Sequence, residues 1–304
     1  MISTIPSIQC WLTRSVSFHN LAMSTSIVER EAQLREWFTR GCDPVRKIVD
    51  GLDIGWGGVQ RWATARMPPL EGRHLDIACG YATFLAQLGW RFPTAWLVGI
   101  NIDFEGPHAL ARPLLAEAGV AAALVQADAR RLPFADSSFA SSSCFLGLQD
   151  IEIGFGEKGL RLAVAEALRV LCPEGTLVLL DEFPLERFSA LLEGLQVVVA
   201  EQGERALDVR RGQQVAERAA ALYSEGWVAQ ARLEGTWEQE RAYAQAYGRM
   251  KAEMEHQLAG QGYYVPFGPV RMVVARKRKE PSDSYPGATP TLSAVVYSHL
   301  GGVP

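Results

Sequence analysis

The residues in this sequence best suited to chemistry stand where apolar runs end. Asp76 is followed by the small-residue turn Ala78-Cys79-Gly80-Tyr81-Ala82. Such a turn lets a ligand approach the backbone, and a side chain at Gly80 would block it. Asn101, with Ile102 and Asp103, follows a second apolar run, and Asp128-Ala129 follows a third. Carboxylates and carboxamides at such places accept hydrogen bonds from ligand amines and hydroxyls. Phe145 ends a fourth run and Asp181-Glu182 a fifth, with Gln149, Asp150 and Glu152 nearby. A cluster of carboxylates could bind a cationic or amine substrate, or act as a base. The plainer alternatives are a strand-to-helix turn without a ligand, solvated loop ends and helix caps. His108 reads as a surface or capping residue. Tyr243, Tyr247, Tyr263, Tyr264 and Phe267 are candidates for an acceptor pocket, with core packing as the alternative.

The elements that position these residues alternate. His74 to Ile77 reads as a strand, followed by a helix to about Trp90. Ala95 to Asp103 holds the next strand, with a helix from about Pro107 to Ala118. Strands follow at Ala122–Val125, Ala140–Leu146 and Leu177–Leu180, with a helical pattern over Glu157 to Leu171. Strands alternating with helices imply an α/β fold with a parallel, doubly wound sheet. Ligands bind such sheets beyond the carboxyl ends of the strands, at the switch in strand order. Asp76, Asn101, Asp128, Phe145 and Glu182 all fall at those ends.

Five motifs in this order resemble the class I S-adenosylmethionine (SAM)-dependent methyltransferases, of the type-11 small-molecule group. Asp76 to Ala82 resembles the first motif, in which the family has three glycines. Gly80 is kept, and Ala78 and Ala82 replace the others. Val98-Gly99-Ile100-Asn101-Ile102 resembles the second, with Asn101 where an acidic residue usually binds the ribose hydroxyls. Ala127-Asp128-Ala129, Leu132-Pro133-Phe134 and Ser138-Phe139 resemble the third, whose Asp accepts a bond from the adenine amine. Cys144-Phe145 corresponds to the next strand end, near the methionine part of the cofactor. Glu166 to Leu171, then Pro173-Glu174-Gly175, resembles the turn before the fifth strand, with Glu174 replacing a glycine.

The resemblance covers residues 70 to 182, with a weaker echo at 262 to 277. It implies a Rossmann-like, mostly parallel seven-stranded sheet with helices on both faces, and SAM as cofactor. Cofactor-binding residues would be Asp76, Ala78, Cys79, Gly80, Asn101, Ile102, Asp128, Ala129 and Phe145. Asp150 and Glu182 are the candidate catalytic residues. Methyl transfer is an in-line displacement, so positioning and exclusion of water dominate, and a base is needed only to free a bound proton. The expected reaction is methylation of an oxygen or nitrogen of a small-molecule acceptor. The alternatives are a catalytically silent SAM-binding module, suggested by the weakened glycine loop and Asn101, and a dinucleotide oxidoreductase.

Composition narrows the field. The chain has 304 residues, a formal net charge of -4 and 48% hydrophobic residues, which suits one large domain with an insertion or two small ones. Mild acidity argues against nucleic acid as main partner, since phosphate binding needs a concentrated basic face. No apolar run approaches the roughly 20 residues that span a bilayer. The five cysteines are scattered without a CxxC pair, which argues against a zinc site or disulfide framework and for a reducing, cytoplasmic setting.

The expected organisation is an irregular leader at 1–28, with a transit peptide or a start at Met23 as alternatives, then an N-terminal helical cap at 29–69. The SAM-binding core follows at 70–184, a helical insertion or substrate lid at 185–260, C-terminal strands at 261–279 and a flexible tail at 280–304. The sixth strand has two placements: Tyr263–Val265 paired with Val270–Ala275, or Gln196–Ala200.

Overall fold

The computed structural model describes residues 26–41, 57–104, 106–206, 212, 214, 237–265 and 268–279. The leader, the short helix expected at Val45–Val49, the insertion segments at 215–221 and 227–233, Phe267 and the tail lie outside them, as do the side chains of Tyr243 and Tyr247.

Among the described residues two helices precede the sheet, α1 (Ile27–Gly41) and α2 (Gly57–Arg66). The α/β unit then runs β1 (Arg73–Ile77), α3 (Thr83–Arg91), β2 (Trp96–Asn101), a 3-10 turn (Gly106–Leu110), α4 (Ala111–Glu117), β3 (Ala122–Gln126) and β4 (Phe139–Phe145). It continues through α5 (Leu148–Val170), β5 (Leu171–Asp181), α6 (Leu185–Leu192), β6 (Val197–Arg205), α7 (Trp237–Gln261) and β7 (Val270–Lys277). The strands form one sheet in the order β3-β2-β1-β4-β5-β7-β6. Neighbours from β3 to β5 are parallel, and β7 is antiparallel to both β5 and β6. The chain moves outward from β1 to β3, then returns to β4 on the other side of β1. That is a switch point, where the loops after β1 and β4 part.

Helices cover both faces, and the strand period of two divides the core accordingly. In β5 and β7, Val178, Leu180, Met272 and Val274 join the α1–α4 side, while Leu177, Leu179, Val273 and Ala275 join α5 and α6 on the other. Phe38, Phe84 and Phe188 are among the largest fully buried side chains, and burying each contributes about 1.5–3 kcal/mol. The N-terminal helices belong to this core, through Leu34 and Phe38 of α1 and Val59 and Ala63 of α2. Polar contacts fix them as well. The buried Glu31 carboxylate accepts bonds from Arg61 and from the Gln87 side chain of α3. Gln60 donates to the Thr83 hydroxyl at 2.9 Å.

Several elements differ from the sequence expectation. The second helix is a 3-10 turn before a short α4, so Pro107 stands in the turn and α4 begins only at Ala111. Helix α5 starts nine residues before Glu157, at Leu148, and non-helical backbone at Gly156 (φ 65°, ψ -177°) divides it into two helical stretches. Of the two placements for the sixth strand, the one near Gln196 holds. Val197–Arg205 pairs with β7, and Tyr263–Val265 is no ladder partner of Val270–Ala275. The segment 185–260 therefore contains an edge strand, and 261–279 supplies one strand of the sheet. Alternation of exposed and apolar residues is weak in Val197-Val198-Val199, and the β6–β7 register shifts between Val199 and Glu201. These features hid the strand.

Candidate functional site

The loop after β1 is built from left-handed backbone. Ala78, Gly80 and Ala82 have φ of 55°, 51° and 65°. These are the three positions where the sequence resemblance expects glycine, and two of them hold alanine in a conformation that costs an L-residue about 1–2 kcal/mol. Close packing secures the loop. A Cβ on Gly147 would stand 2.5 Å from the Ala78 Cβ and 3.1 Å from the Cys144 sulfur. A Cβ on Gly80 would meet nothing within 4 Å, because Gly80 faces a pocket.

That pocket lies at the carboxyl ends of β1 to β4. Ala78 and Gly80 line it with Asn101, Ile102 and His108, with Ala127, Asp128, Ala129 and Arg130, and with Gly147, Asp150, Ile151 and Phe155. Six of the nine residues expected to hold a cofactor are thus on its wall, with the candidate base Asp150. The other three are elsewhere. Cys79 is buried, and its sulfur would lie 2.9 Å from a Cβ on Gly99. Phe145 stacks on Phe84 with ring centroids 4.8 Å apart. Burial raises the thiols of Cys79 and Cys144 well above the ordinary range, so both stay protonated and pack as small apolar groups.

Asp76 sits under the loop, almost fully buried. Its Oδ1 accepts the Ser143 hydroxyl at 2.6 Å, and Oδ2 is buried with no hydrogen-bond partner among the described residues. The buried His74 completes the row, with Nε2 2.9 Å from the Ser143 oxygen and Nδ1 2.8 Å from the Ser141 oxygen. Burial lowers the His74 pKa to about 3. Burial also raises Asp76 to about 7, opposed by the Ser143 hydrogen bond. An orphaned buried carboxylate oxygen below an open, left-handed loop suits a ligand with a cationic or amine donor.

Asn101 ends β2. Its Nδ2 donates to the Asp103 carbonyl at 2.6 Å and to His108 Nδ1 at 2.9 Å. Asp128 is engaged by Arg130: the backbone N–H donates at 2.8 Å, and the guanidinium closes a fork on both carboxylate oxygens at 2.6–3.0 Å. The same guanidinium lies 3.4 Å from the centre of the Phe155 ring. Partial burial works to raise the Asp128 pKa, but the Arg130 bonds outweigh it and hold the carboxyl below its usual range. The loop beyond Asp128 is tied down from α5. Glu166 accepts the Leu132 N–H at 2.7 Å, and Arg169 donates to the carbonyls of Leu132 and Phe134 and to Asp136. Nothing in the local sequence marked Arg169 as a clamp, although it lies in the stretch that matched by resemblance.

On the far side, Asp150 opens onto the pocket, while Asp181 is buried and Glu182 half-buried. Asp181 caps α5 from a distance of 33 residues: its Oδ2 accepts the N–H groups of Leu148 and Gln149 at 3.0 and 3.2 Å. Its Oδ1 accepts the Glu182 N–H at 2.8 Å. Burial raises Asp181 to about 6, with the three N–H bonds pulling the other way. Asp150 is exposed at the pocket mouth, yet the protein around it and then the Asp181 charge push it up to about 7. Glu182 is raised to about 7 by burial, then by Asp181, against the Gly268 N–H and Arg271. Glu152 faces away, in an ion pair with Arg187 at 2.5 Å. His108 lines the pocket. Tyr264 is buried beside Met254. Among the described residues no cluster of His, Cys, Asp and Glu has metal-binding geometry, and no helix is long and apolar enough to cross a membrane.

Residues 75–179 match the model of a methyltransferase domain family. The chain is 33% identical over 180 residues to the demethylmenaquinone methyltransferase of Roseiflexus castenholzii, covering 55% of this chain and 70% of that protein. It is 35% identical over 140 residues to the demethylmenaquinone methyltransferase of Deinococcus radiodurans, covering 46% of this chain and 54% of that one. A ubiquinone/menaquinone biosynthesis C-methyltransferase of Paracoccus denitrificans is 35% identical over 137 residues, covering 42% of this chain and 52% of that protein.

Proposed function

Because the chain belongs to the class I SAM-dependent methyltransferases, enzymes whose cofactor is SAM, we propose that its pocket holds SAM and that it methylates a small molecule which must first lose a proton. When bound, SAM supplies a methyl group on a sulfonium. The observation that carries the reading is the meeting of a left-handed, small-residue loop with Asn101 and Asp128 on one wall and Asp150 on the other.

In this reading Ala78 and Gly80 admit the cofactor to the backbone, and Asp76 offers its free Oδ2 from below. Asn101 and Ile102 meet the ribose, and Asp128 with the Ala129 N–H meets the adenine. Arg130 holds Asp128 ionised, which keeps it an acceptor. The apolar side chains of Ile102, Ile151 and Phe155 line the pocket, with Phe155 against the Arg130 guanidinium, and offer packing to the nucleoside. Asp150 takes the acceptor's proton, and its raised pKa suits a base working near neutrality. Glu182 lies beside Asp181 and off the pocket wall, so the proton falls to Asp150. The helical segments before β1 and between β6 and β7 cover the acceptor side.

The acceptor is a hydroxylated or aminated small molecule, methylated on oxygen or nitrogen. A second reading is methylation of a ring carbon beside an ionised hydroxyl, and the name of the Paracoccus denitrificans relative, a C-methyltransferase, favours it. Both begin with loss of the acceptor's proton; on the ring-carbon reading the hydrogen of the methylated carbon leaves afterwards as a second proton, which restores the aromatic ring. The test is incubation with methyl-labelled SAM and a panel of phenols, catechols, amines and a demethylmenaquinol, with the labelled product located by NMR. Label on oxygen, nitrogen or ring carbon decides between the readings. Binding of SAM with no transfer to any member of the panel would count against a small hydroxylated or aminated acceptor.

A further inference from the structure

Asn101 departs from the acidic residue expected at its position, and its surroundings show how the departure is absorbed. A carboxamide carries two N–H donors and one acceptor oxygen, whereas a carboxylate is acceptor only. Here both donors face inward. Nδ2 gives one hydrogen to the Asp103 carbonyl at 2.6 Å and the other to His108 Nδ1 at 2.9 Å. His108 accepts at Nδ1, so in its neutral form the ring carries its proton on Nε2. Oδ1 receives no hydrogen bond from a described residue, and both Asn101 and His108 line the pocket. The ring is held in turn: Tyr81 lies edge-on to His108, with centroids 5.4 Å apart at 65°, and Phe38 of α1 lies edge-on to Tyr81 at 5.8 Å.

We infer that His108 is a positioning residue: with the Asp103 carbonyl it consumes both amide hydrogens of Asn101 and turns Oδ1 toward the pocket as an acceptor for a ribose hydroxyl. Asn101 thereby presents the ligand with what a carboxylate would present, less the charge. The inference rests on the proposal that SAM occupies this pocket. It has an unusual consequence. In Asn101→Asp a carboxylate oxygen would face the Asp103 carbonyl, two acceptors with no hydrogen between them, and the His108 ring would have to move its proton from Nε2 to Nδ1 to meet it. Restoring the acidic residue should therefore weaken binding.

The test is calorimetric titration of the full chain with S-adenosylhomocysteine and with its 2′-deoxy and 3′-deoxy counterparts. The wild type should prefer the ribose form by about five- to tenfold, the worth of one net hydrogen bond. In His108→Phe, which keeps the ring packing against Tyr81 but removes the acceptor nitrogen, most of that preference should vanish, with affinity for the deoxy forms little changed. Asn101→Asp should bind S-adenosylhomocysteine more weakly than the wild type. A His108→Phe variant that keeps the full ribose preference, or an Asn101→Asp variant that binds more tightly, would overturn the inference and leave the cofactor site intact. A wild type that binds none of the three would remove the site itself, and the inference with it.

Discussion

The two walls of the pocket are built on opposite terms. On the β1–β3 side the polar groups of Asn101 and Asp128 are oriented by the protein in advance. Arg130 forks onto Asp128, His108 and the Asp103 carbonyl hold Asn101, and Arg169 pins the loop behind them. On the β4–β5 side Asp150 lines the pocket with Asp181 and Glu182 behind it, all three with raised pKa values, and no cation among the described residues pairs with Asp150. The difference teaches what each wall can do. A wall whose hydrogen bonds are already made binds a fixed shape without reorganising, as a cofactor pocket requires. A wall of carboxyls poised near neutrality can accept a proton, as an acceptor pocket requires. Asp76 lies under the seam, with one oxygen committed and one free.

The sharpest way to break this contrast is to remove the base. Asp150→Asn should lower kcat by about 10²- to 10⁴-fold while changing SAM affinity far less, and the wild-type rate should rise with pH through about 7. A variant that loses affinity and rate equally would place Asp150 on the cofactor wall. Next is the joint between the walls. Gly147→Ala drives a Cβ into Ala78, and overpacking of this kind should cost about 1–3 kcal/mol in urea unfolding and loosen SAM binding. Smaller is the loss of the remote helix cap. Asp181→Ala should cost about 0.5–2 kcal/mol, the range for a lost N-cap, and should shift the rising limb of the rate profile to lower pH because its charge no longer opposes ionisation of Asp150.

The last effect is a slope rather than a step. Asp76 is raised to about 7, so its contribution to stability is full below the unfolded carboxyl pKa and fades as pH rises toward 7. His74 is lowered to about 3, so its contribution is full above the unfolded histidine pKa and fades as pH falls toward 3. Between about pH 4 and 6.5 the two trends oppose each other. Asp76→Asn removes the first, and urea melts of the variant should show stability rising with pH across that window. A wild-type curve as steep as the variant's would show that the two groups are not the opposed pair described here.

Much of this was legible in the sequence because it is local. The strand ends, the small-residue turn and the position of Asp128 all follow from short patterns. The remainder depends on partners distant in sequence. Asp181 caps a helix that begins 33 residues earlier, and it reads locally as one more loop carboxylate. Asn101 looked like a weakened ligand until His108 showed which way its amide turns. Cys79 and Phe145 lie inside the expected motifs, but the twist of the loop and the end of β4 direct them into the core. Edge strand β6 stayed ambiguous because its valines alternate poorly and its ladder carries a register shift.

The most direct test of the account is the affinity of the full chain for SAM, by calorimetry, in the wild type and in Asp128→Ala. Micromolar binding by the wild type, weakened about tenfold or more in the variant, is the result expected if the preassembled wall is the cofactor wall, since charge-assisted bonds contribute about 1.5–3 kcal/mol each. No binding by the wild type, or equal binding by both, would contradict it.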